Sequence, residues 1–142
     1  MSNTPQHSVS VAGIVVREDG RVLVVQRRDN ARWEPPGGVL ELSETFEQGV
    51  RREIVEETGV TVRVDRLTGA YKNLTRGVVA LVFRCTPVAG EATTTAESRS
   101  VRWLTPEEVR EHMSPAYAVR VLDALSDGTA SRAHDGVQLV TS

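Results

Sequence analysis

Cysteine occurs once in the 142-residue chain, as Cys85, so no disulfide can form within it. That thiol sits in the apolar run 78–85 and reads as a buried small hydrophobe rather than a reactive group. Neither sign of charge dominates, since the formal net charge is −2, and this leaves no basic face for duplex nucleic acid or an anionic membrane. The opening residues MSNTPQHS lack the basic start and apolar core of a secretory leader, and no apolar run approaches the roughly 18 residues that a membrane span requires. A cytoplasmic protein without a membrane partner is expected. There is no internal repeat and no break in composition, and the length suits one domain.

Valine-rich stretches over 8–17 and 21–28, with Asp19-Gly20 between them, predict two antiparallel strands paired as a hairpin. Residues 29–38, DNARWEPPGG, are predicted as a loop, because two prolines and two glycines continue neither sheet nor helix. A helix is predicted over about 44–58, with Ser43 as N-cap, Glu44 and Glu47 at the positive end of its dipole, and Gly59 just past its end. Apolar, β-branched stretches over 60–71, 77–85 and 99–104 predict further strands. Thr105-Pro106-Glu107-Glu108 and Ser114-Pro115 place caps and prolines at the starts of two short helices, about 106–112 and 115–125. Residues 1–7 are expected to be flexible, and the small, polar, unpatterned segment 126–142 is expected to be a mobile tail.

The stretch REIVEETG, residues 52–59, gathers three carboxylates near a helix C-terminus, where they oppose the dipole and one another. At about 100° per residue, Phe46, Val50 and Ile54 form one buried stripe, Glu53 and Glu57 fall within it, and Glu56 lies at its edge. A solvated charged face suits Glu47 and Arg51, an i,i+4 pair, but not Glu53 and Glu57. Spacing alone leaves two readings open: a divalent metal held by carboxylate oxygens, or a surface salt-bridge network around Arg52.

A wider window adds to this: Gly38, five residues, Glu44, seven residues, then Arg52-Glu53-Ile54-x-Glu56-Glu57-x-Gly59-Val60. This pattern resembles the Nudix box, G-x5-E-x7-R-E-U-x-E-E-x-G-U with U aliphatic, and it matches at every fixed position. Seven fixed matches at a given start arise by chance roughly once in 10⁸ at average composition. VLVVQRRDNARWEPPGG before the box and ESRSVRWLTPEEV after it are similar to the family's flanking strand, loop and helix. The resemblance implies an α/β (α+β) chain with the Nudix fold, a mixed β-sheet in an α/β/α sandwich, as a single domain over 8–125.

It also implies roles for residues. Glu53, Glu56 and Glu57 would hold Mg²⁺ or Mn²⁺, Arg52 would orient them, Gly38 would bring a backbone carbonyl to the metal, and Glu44 would pair with Arg52 and steady the loop. Glu97, six residues before Trp103, matches a further glutamate that some members use as ligand or base, so Glu53 and Glu97 both stand as candidates for general base. Trp103 itself reads as core. Arg28, Arg27 and Arg32 are candidates for phosphate contacts, and Trp33, Tyr71, Lys72 and Asn73 for the base or the leaving group. The implied activity is metal-dependent cleavage of the diphosphate linkage in nucleoside diphosphate-X substrates. Downstream cues for NADH, ADP-ribose or dinucleoside polyphosphates are missing, so the MutT-like group acting on nucleoside triphosphates is preferred. An ADP-ribose or sugar-nucleotide hydrolase and a non-catalytic nucleotide-sensing module are the alternatives, and a homodimer is expected from the family's habit. Pro35 and the mid-helix Gly49 depart from common family residues without removing a site position.

Overall fold

The computed structural model describes residues 3–141, so Met1, Ser2 and Ser142, the extremes of the expected flexible ends, lie outside the described residues. The elements run β1 (Ser8–Val15), β2 (Val22–Arg27), β3 (Trp33–Glu34), β4 (Gly37–Val39), α1 (Phe46–Thr58), β5 (Thr61–Asn73), β6 (Val78–Ala89), β7 (Ser98–Leu104), α2 (Pro106–His112), α3 (Pro115–Ala124), β8 (Ala130–His134) and β9 (Leu139–Val140). They form a six-stranded sheet in the order β4-β1-β6-β5-β8-β9 and a three-stranded sheet in the order β3-β2-β7. The larger sheet is mixed, since β1 runs parallel to β6 and β8 parallel to β5 while the other pairs are antiparallel. One core joins Val11, Val15, Leu23 and Phe83 to Val50 and Ile54 of α1. The other joins Ala12, Ile14, Val22, Val24 and Val82 to Val109 of α2 and Val121 of α3. Helices thus cover both sides of the sheets, the α/β/α arrangement expected.

The hairpin expectation fails. β1 and β2 lie in different sheets, and among the described residues the chain between them is joined by the bridge Val16↔Val22 and by Arg17 N–H donating to Arg21 O at 2.9 Å. Val22 to Val25 are all buried, and residues of β2 enter both cores, so this strand is covered on both faces and does not form one half of a two-stranded ribbon. The expected loop 29–38 contains β3 and the start of β4. Its two glycines pair with β1 through Gly37↔Ala12 and Gly38↔Val11.

The N-cap of α1 is Thr45, not Ser43. With Thr45 capping, Gln48 occupies N3, and the two close a capping box: Gln48 N–H donates to Thr45 Oγ1 at 3.1 Å and Thr45 N–H donates to Gln48 Oε1 at 2.9 Å. Capping by Ser43 would put Phe46 at N3, where no side chain can reciprocate. Phe46 opens the helix 45% exposed, so the buried stripe begins at Val50 and not at Phe46. Gly59 ends α1 with φ +76°, its N–H donating to Val55 O, as expected of a left-handed C-terminal glycine. Thr105 and Glu108 form the expected capping box, whereas Ser114 starts α3 without a side-chain cap bond.

The segment expected as a mobile tail carries β8 and β9. β8 adds to the edge of β5 in parallel register from Gly69↔Ala130 to Asn73↔His134. Main-chain bonding and ion pairing order this segment, neither of which needs an apolar pattern. Arg132 Nε donates to Asp123 Oδ2 at 2.7 Å, and Arg66 donates to the carbonyls of Gly128 and Ser126 at 2.8 and 2.7 Å.

Candidate active site

The turn Pro35-Pro36 and the start of β4, Gly37-Gly38, lie against the last turns of α1. A Cβ on Gly38 would sit 2.7 Å from the Glu53 carboxyl carbon and both its oxygens, so only glycine lets the backbone approach this closely. Gly37 N–H donates to Glu57 Oε2 at 2.8 Å. A Cβ on Gly49 would lie 2.5 Å from Leu40 Cδ1, the movable end of a side chain, and 3.2 Å from Val11 Cγ2.

Arg52 organises the carboxylates. Nη2 donates to Glu44 Oε1 at 2.8 Å and to Val39 O at 3.2 Å, Nη1 donates to Glu53 Oε1 at 2.8 Å and Glu56 Oε2 at 3.3 Å, and Nε donates to Glu44 Oε2. These contacts engage all five guanidinium donors. Glu44, which precedes the helix, is thereby tied to its acidic end, and its carboxyl is held down to about 2 by the Arg52 hydrogen bonds.

The loop before β7 closes the group. Thr95 Oγ1 donates to Glu56 O at 2.6 Å and Ser98 Oγ to Glu57 O at 2.8 Å, satisfying carbonyls that the end of a helix leaves without partners. Glu97 is delivered between those two anchors. Oxygens of Glu53, Glu56 and Glu97 all lie within 4.8 Å of one another. Three carboxylates form a hard, all-oxygen donor set that fits a divalent cation such as Mg²⁺ or Mn²⁺ and does not suit a soft one.

Of the expected ligand set, Glu57 stands apart. It belongs to α1 but its carboxylate faces the Gly37 amide, outside the trio, and burial pushes its pKa up to about 8 against the opposing effect of that N–H. Burial also raises Glu53, with Arg52 pulling the other way. Glu56 and Glu97 are exposed, and among the described residues no hydrogen bond reaches the Glu97 carboxylate.

Beside the trio, a cleft of about 260 Å³ runs from Gly38 past Glu34, Asn73 and Tyr117 to Arg120 and His134. Arg27 lines it but is already engaged by Asp29 at 2.7 Å and Glu34 at 3.2 Å. Arg32 lines the adjoining cavity together with Arg76. Arg28 lies outside both cavities and donates to Thr95 O at 3.2 Å, so it braces the Glu97 loop. Trp33 lines a third hollow, edge-on to His112 at 6.5 Å.

Two of the four candidates for base or leaving-group contact are misplaced. Tyr71 is fully buried, its hydroxyl donating to Asp123 Oδ2 at 2.7 Å, because its position in β5 faces the α3 side of the sheet. Lys72, next along the strand, points the other way and lines none of these cavities. Asn73 does line the cleft, while its Oδ1 accepts from Thr75 and Arg76 N–H. Trp103 is half-buried at the margin of the α1-side core, with the Arg17 guanidinium 4.7 Å above its ring. Glu34, Arg120 and His134 belong to the cleft without any motif marking them. For Arg120 the available signal is spacing, since a charged residue lies four positions from both Ala116 and Ala124 on the buried face of α3.

The family model for the NUDIX domain matches residues 6–125. A MutT-like protein from Streptomyces ambofaciens is 61% identical over 140 residues, covering 98% of this chain and 91% of that protein. An ADP-ribose pyrophosphatase from Methanocaldococcus jannaschii is 36% identical over 91 residues, which is 59% of this chain and 53% of that protein. In structure, an ADP-ribose pyrophosphatase from Streptococcus suis superposes with a TM-score of 0.76 over 91% of this chain and all of that one, at 19% identity, a likeness of fold alone. With the family model matched over most of its length, and the box that defines the resemblance built into one acidic site, the chain belongs to the Nudix hydrolase family and is an enzyme of it.

Proposed function

We propose that the enzyme is a Mg²⁺- or Mn²⁺-dependent pyrophosphohydrolase that cleaves the diphosphate linkage of nucleoside diphosphate-X substrates, with nucleoside triphosphates preferred. The observation that carries this reading is the carboxylate trio of Glu53, Glu56 and Glu97, with oxygens within 4.8 Å of one another, beside Gly38, which lines a cleft of about 260 Å³. Those three residues would hold the cation, which when bound would neutralise phosphate charge and activate water for attack on phosphorus.

The chain's own groups do the rest. Arg52 fixes Glu53 and Glu56 in place through bonds of 2.8 and 3.3 Å, so the donor set is formed before substrate arrives. Glu97, whose carboxylate has no hydrogen-bond partner among the described residues, is the base that takes the proton of the attacking water, whereas Glu53 is engaged by Arg52. Glu57 supports the site by anchoring the Gly37 amide and so setting the loop height above Glu53. Water adds to phosphorus, the bond to the bridging oxygen breaks, and a triphosphate yields nucleoside monophosphate and pyrophosphate.

The preference for triphosphates is supported by the likeness to the MutT-like protein over nearly the whole chain. Hydrolysis of ADP-ribose is the second reading, favoured by the name of the Methanocaldococcus jannaschii relative. A panel of nucleoside triphosphates, ADP-ribose, sugar nucleotides and dinucleoside polyphosphates, followed by chromatography and phosphorus NMR with either metal, separates the two. Glu53→Gln and Glu56→Gln are each expected to lower turnover by about 10²- to 10⁴-fold with unchanged circular dichroism, and chelation is expected to abolish it. Near-normal activity in both variants would refute the assignment.

A further inference from the structure

The floor of the cleft carries a buried cation without a counter-ion. Arg120 is 7% exposed, lines the cleft, and lies between two aromatic faces, its Cζ 4.5 Å from the Tyr117 ring and 5.1 Å from the Tyr71 ring. These rings hold the guanidinium by cation–π attraction but offer it no hydrogen-bond acceptor. Among the described residues its Nε has no partner, and its one polar contact is Nη2 to His134 Nε2 at 3.2 Å.

That contact is not a satisfied bond. His134 Nδ1 accepts from Gly136 N–H at 2.9 Å. A neutral imidazole accepts at one nitrogen only, so Nε2 carries the hydrogen and points a second donor at Arg120. Burial and the nearby Arg120 charge keep His134 below its ordinary pKa, in keeping with a neutral ring. The guanidinium and Nε2–H together need an oxygen that the protein does not supply. Buried polar groups are rarely left this way, and a ligand is a common reason when they are.

The same cleft holds one carboxylate, Glu34. Its Oε1 accepts from Arg27 Nη1 at 3.2 Å, and no hydrogen bond reaches Oε2 among the described residues. Glu34 and Arg120 are near enough for each charge to act on the other. A donor fork beside a carboxylate matches a lactam edge, in which a ring oxo group sits next to an N–H. Guanine, hypoxanthine and uracil present that edge. Adenine and cytosine present an amino group in place of the oxo group, which would set donor against donor.

We propose that Arg120 determines base specificity, its guanidinium donating to the ring oxo group of a lactam base while Glu34 accepts from the neighbouring ring N–H. The proposal rests on the hydrolase reading for the placement of phosphates at the carboxylate trio, but base preference can be read without turnover.

Calorimetric binding of GMP, IMP, AMP, UMP and CMP to the wild-type chain tests it directly. The oxo nucleotide of each pair is expected to bind more tightly than its amino counterpart by about 5- to 150-fold, the discrimination that a matched two-point contact to a base edge gives. Arg120→Met, which places an apolar chain between the two tyrosines, is expected to bring both ratios towards one. Arg120→Lys, which keeps the charge but loses the fork, is expected to do the same. Equal binding of oxo and amino nucleotides by the wild type, or a proportional loss for all nucleotides in a folded Arg120 variant, would overturn the proposal. The Glu53→Gln protein separates this from the wider reading. It is expected to keep the binding ratio while losing turnover, whereas no turnover of any substrate by the wild type with either metal would sink the hydrolase assignment and leave the Arg120 result standing.

Discussion

Gly38→Ala is the most incisive test of how the site is built. Gly38 does not have a positive φ, so alanine meets no backbone penalty there, and the whole effect is steric. The added Cβ would be 2.7 Å from the Glu53 carboxylate, about 0.7 Å short of the 3.4 Å at which ordinary contact begins. The loop cannot recede freely, because Gly38 pairs with Val11 in β1 and Gly37 N–H is bound to Glu57. The carboxylate cannot recede freely either, because it is buried and held by Arg52 at 2.8 Å. Overpacking of this kind costs about 1–3 kcal/mol, and for a chain of this size that is a fall in Tm of about 3 to 12 °C. A displacement approaching 1 Å at a reacting centre costs on the order of 10²-fold in rate. Metal-titrated steady-state kinetics beside a thermal melt would read both effects. Turnover within about threefold of wild type, with an unchanged Tm, would show that the approach of loop to carboxylate is not the constraint described.

Other outcomes follow from the same structure. Glu44 is held down to about 2 by Arg52, and a depressed carboxylate contributes stability that is present above its unfolded pKa and lost as pH falls through the folded value. The stability gap between wild type and Glu44→Gln in urea titrations is therefore expected to be full above about pH 5 and to close between about 4.5 and 2, and a gap that stays constant over that range would contradict the pairing. Cys85 is fully buried with its thiol pushed up to about 12, so no labelling by a thiol reagent is expected in the native protein at pH 8 and one equivalent after unfolding; prompt native labelling would mean the strand opens readily. Removing residues 126–142 is expected to lower Tm and promote association, because it strips β8 from β5 and takes His134 from beneath Arg120; an unchanged melt would restore the reading of that segment as a tail.

Local rules and spacing made much of the site legible in the sequence. The box placed Arg52, Glu53 and Glu56 on one helix end, and Gly59 and the Thr105 capping box behaved as their chemistry dictates. Glu97 was reachable through its spacing from Trp103, and the structure does bring it to Glu53 and Glu56. Partner choice was the harder matter. Nothing in two valine-rich runs says whether they bond to each other or to different neighbours, so β1 and β2 were assignable as strands but not to sheets. Likewise β8 is fixed by main-chain pairing and by Arg132 bonding to Asp123, which leave no hydrophobic period to read. The Asp123 partner of Tyr71, and the Gly37 amide from which one Glu57 oxygen accepts, were out of reach for a related reason. Helical angle and strand membership say which side a residue occupies, but not whether an amide such as that of Gly37, or an acceptor such as Asp123, is waiting to take it up.

The crossing between sheets also sets how the cleft can move. The chain leaves the three-stranded sheet at Glu34 and enters the six-stranded one at Gly37, with only Pro35 and Pro36 between. The three Cα–Cα steps from Glu34 to Gly37 reach at most about 11 Å, and both intervening residues have a locked φ. The two sheets are thus strapped together at the waist of the cleft, beside the carboxylates, and cannot hinge apart there. Adjustment of the cleft on binding is therefore expected at its outer rim and not at this crossing.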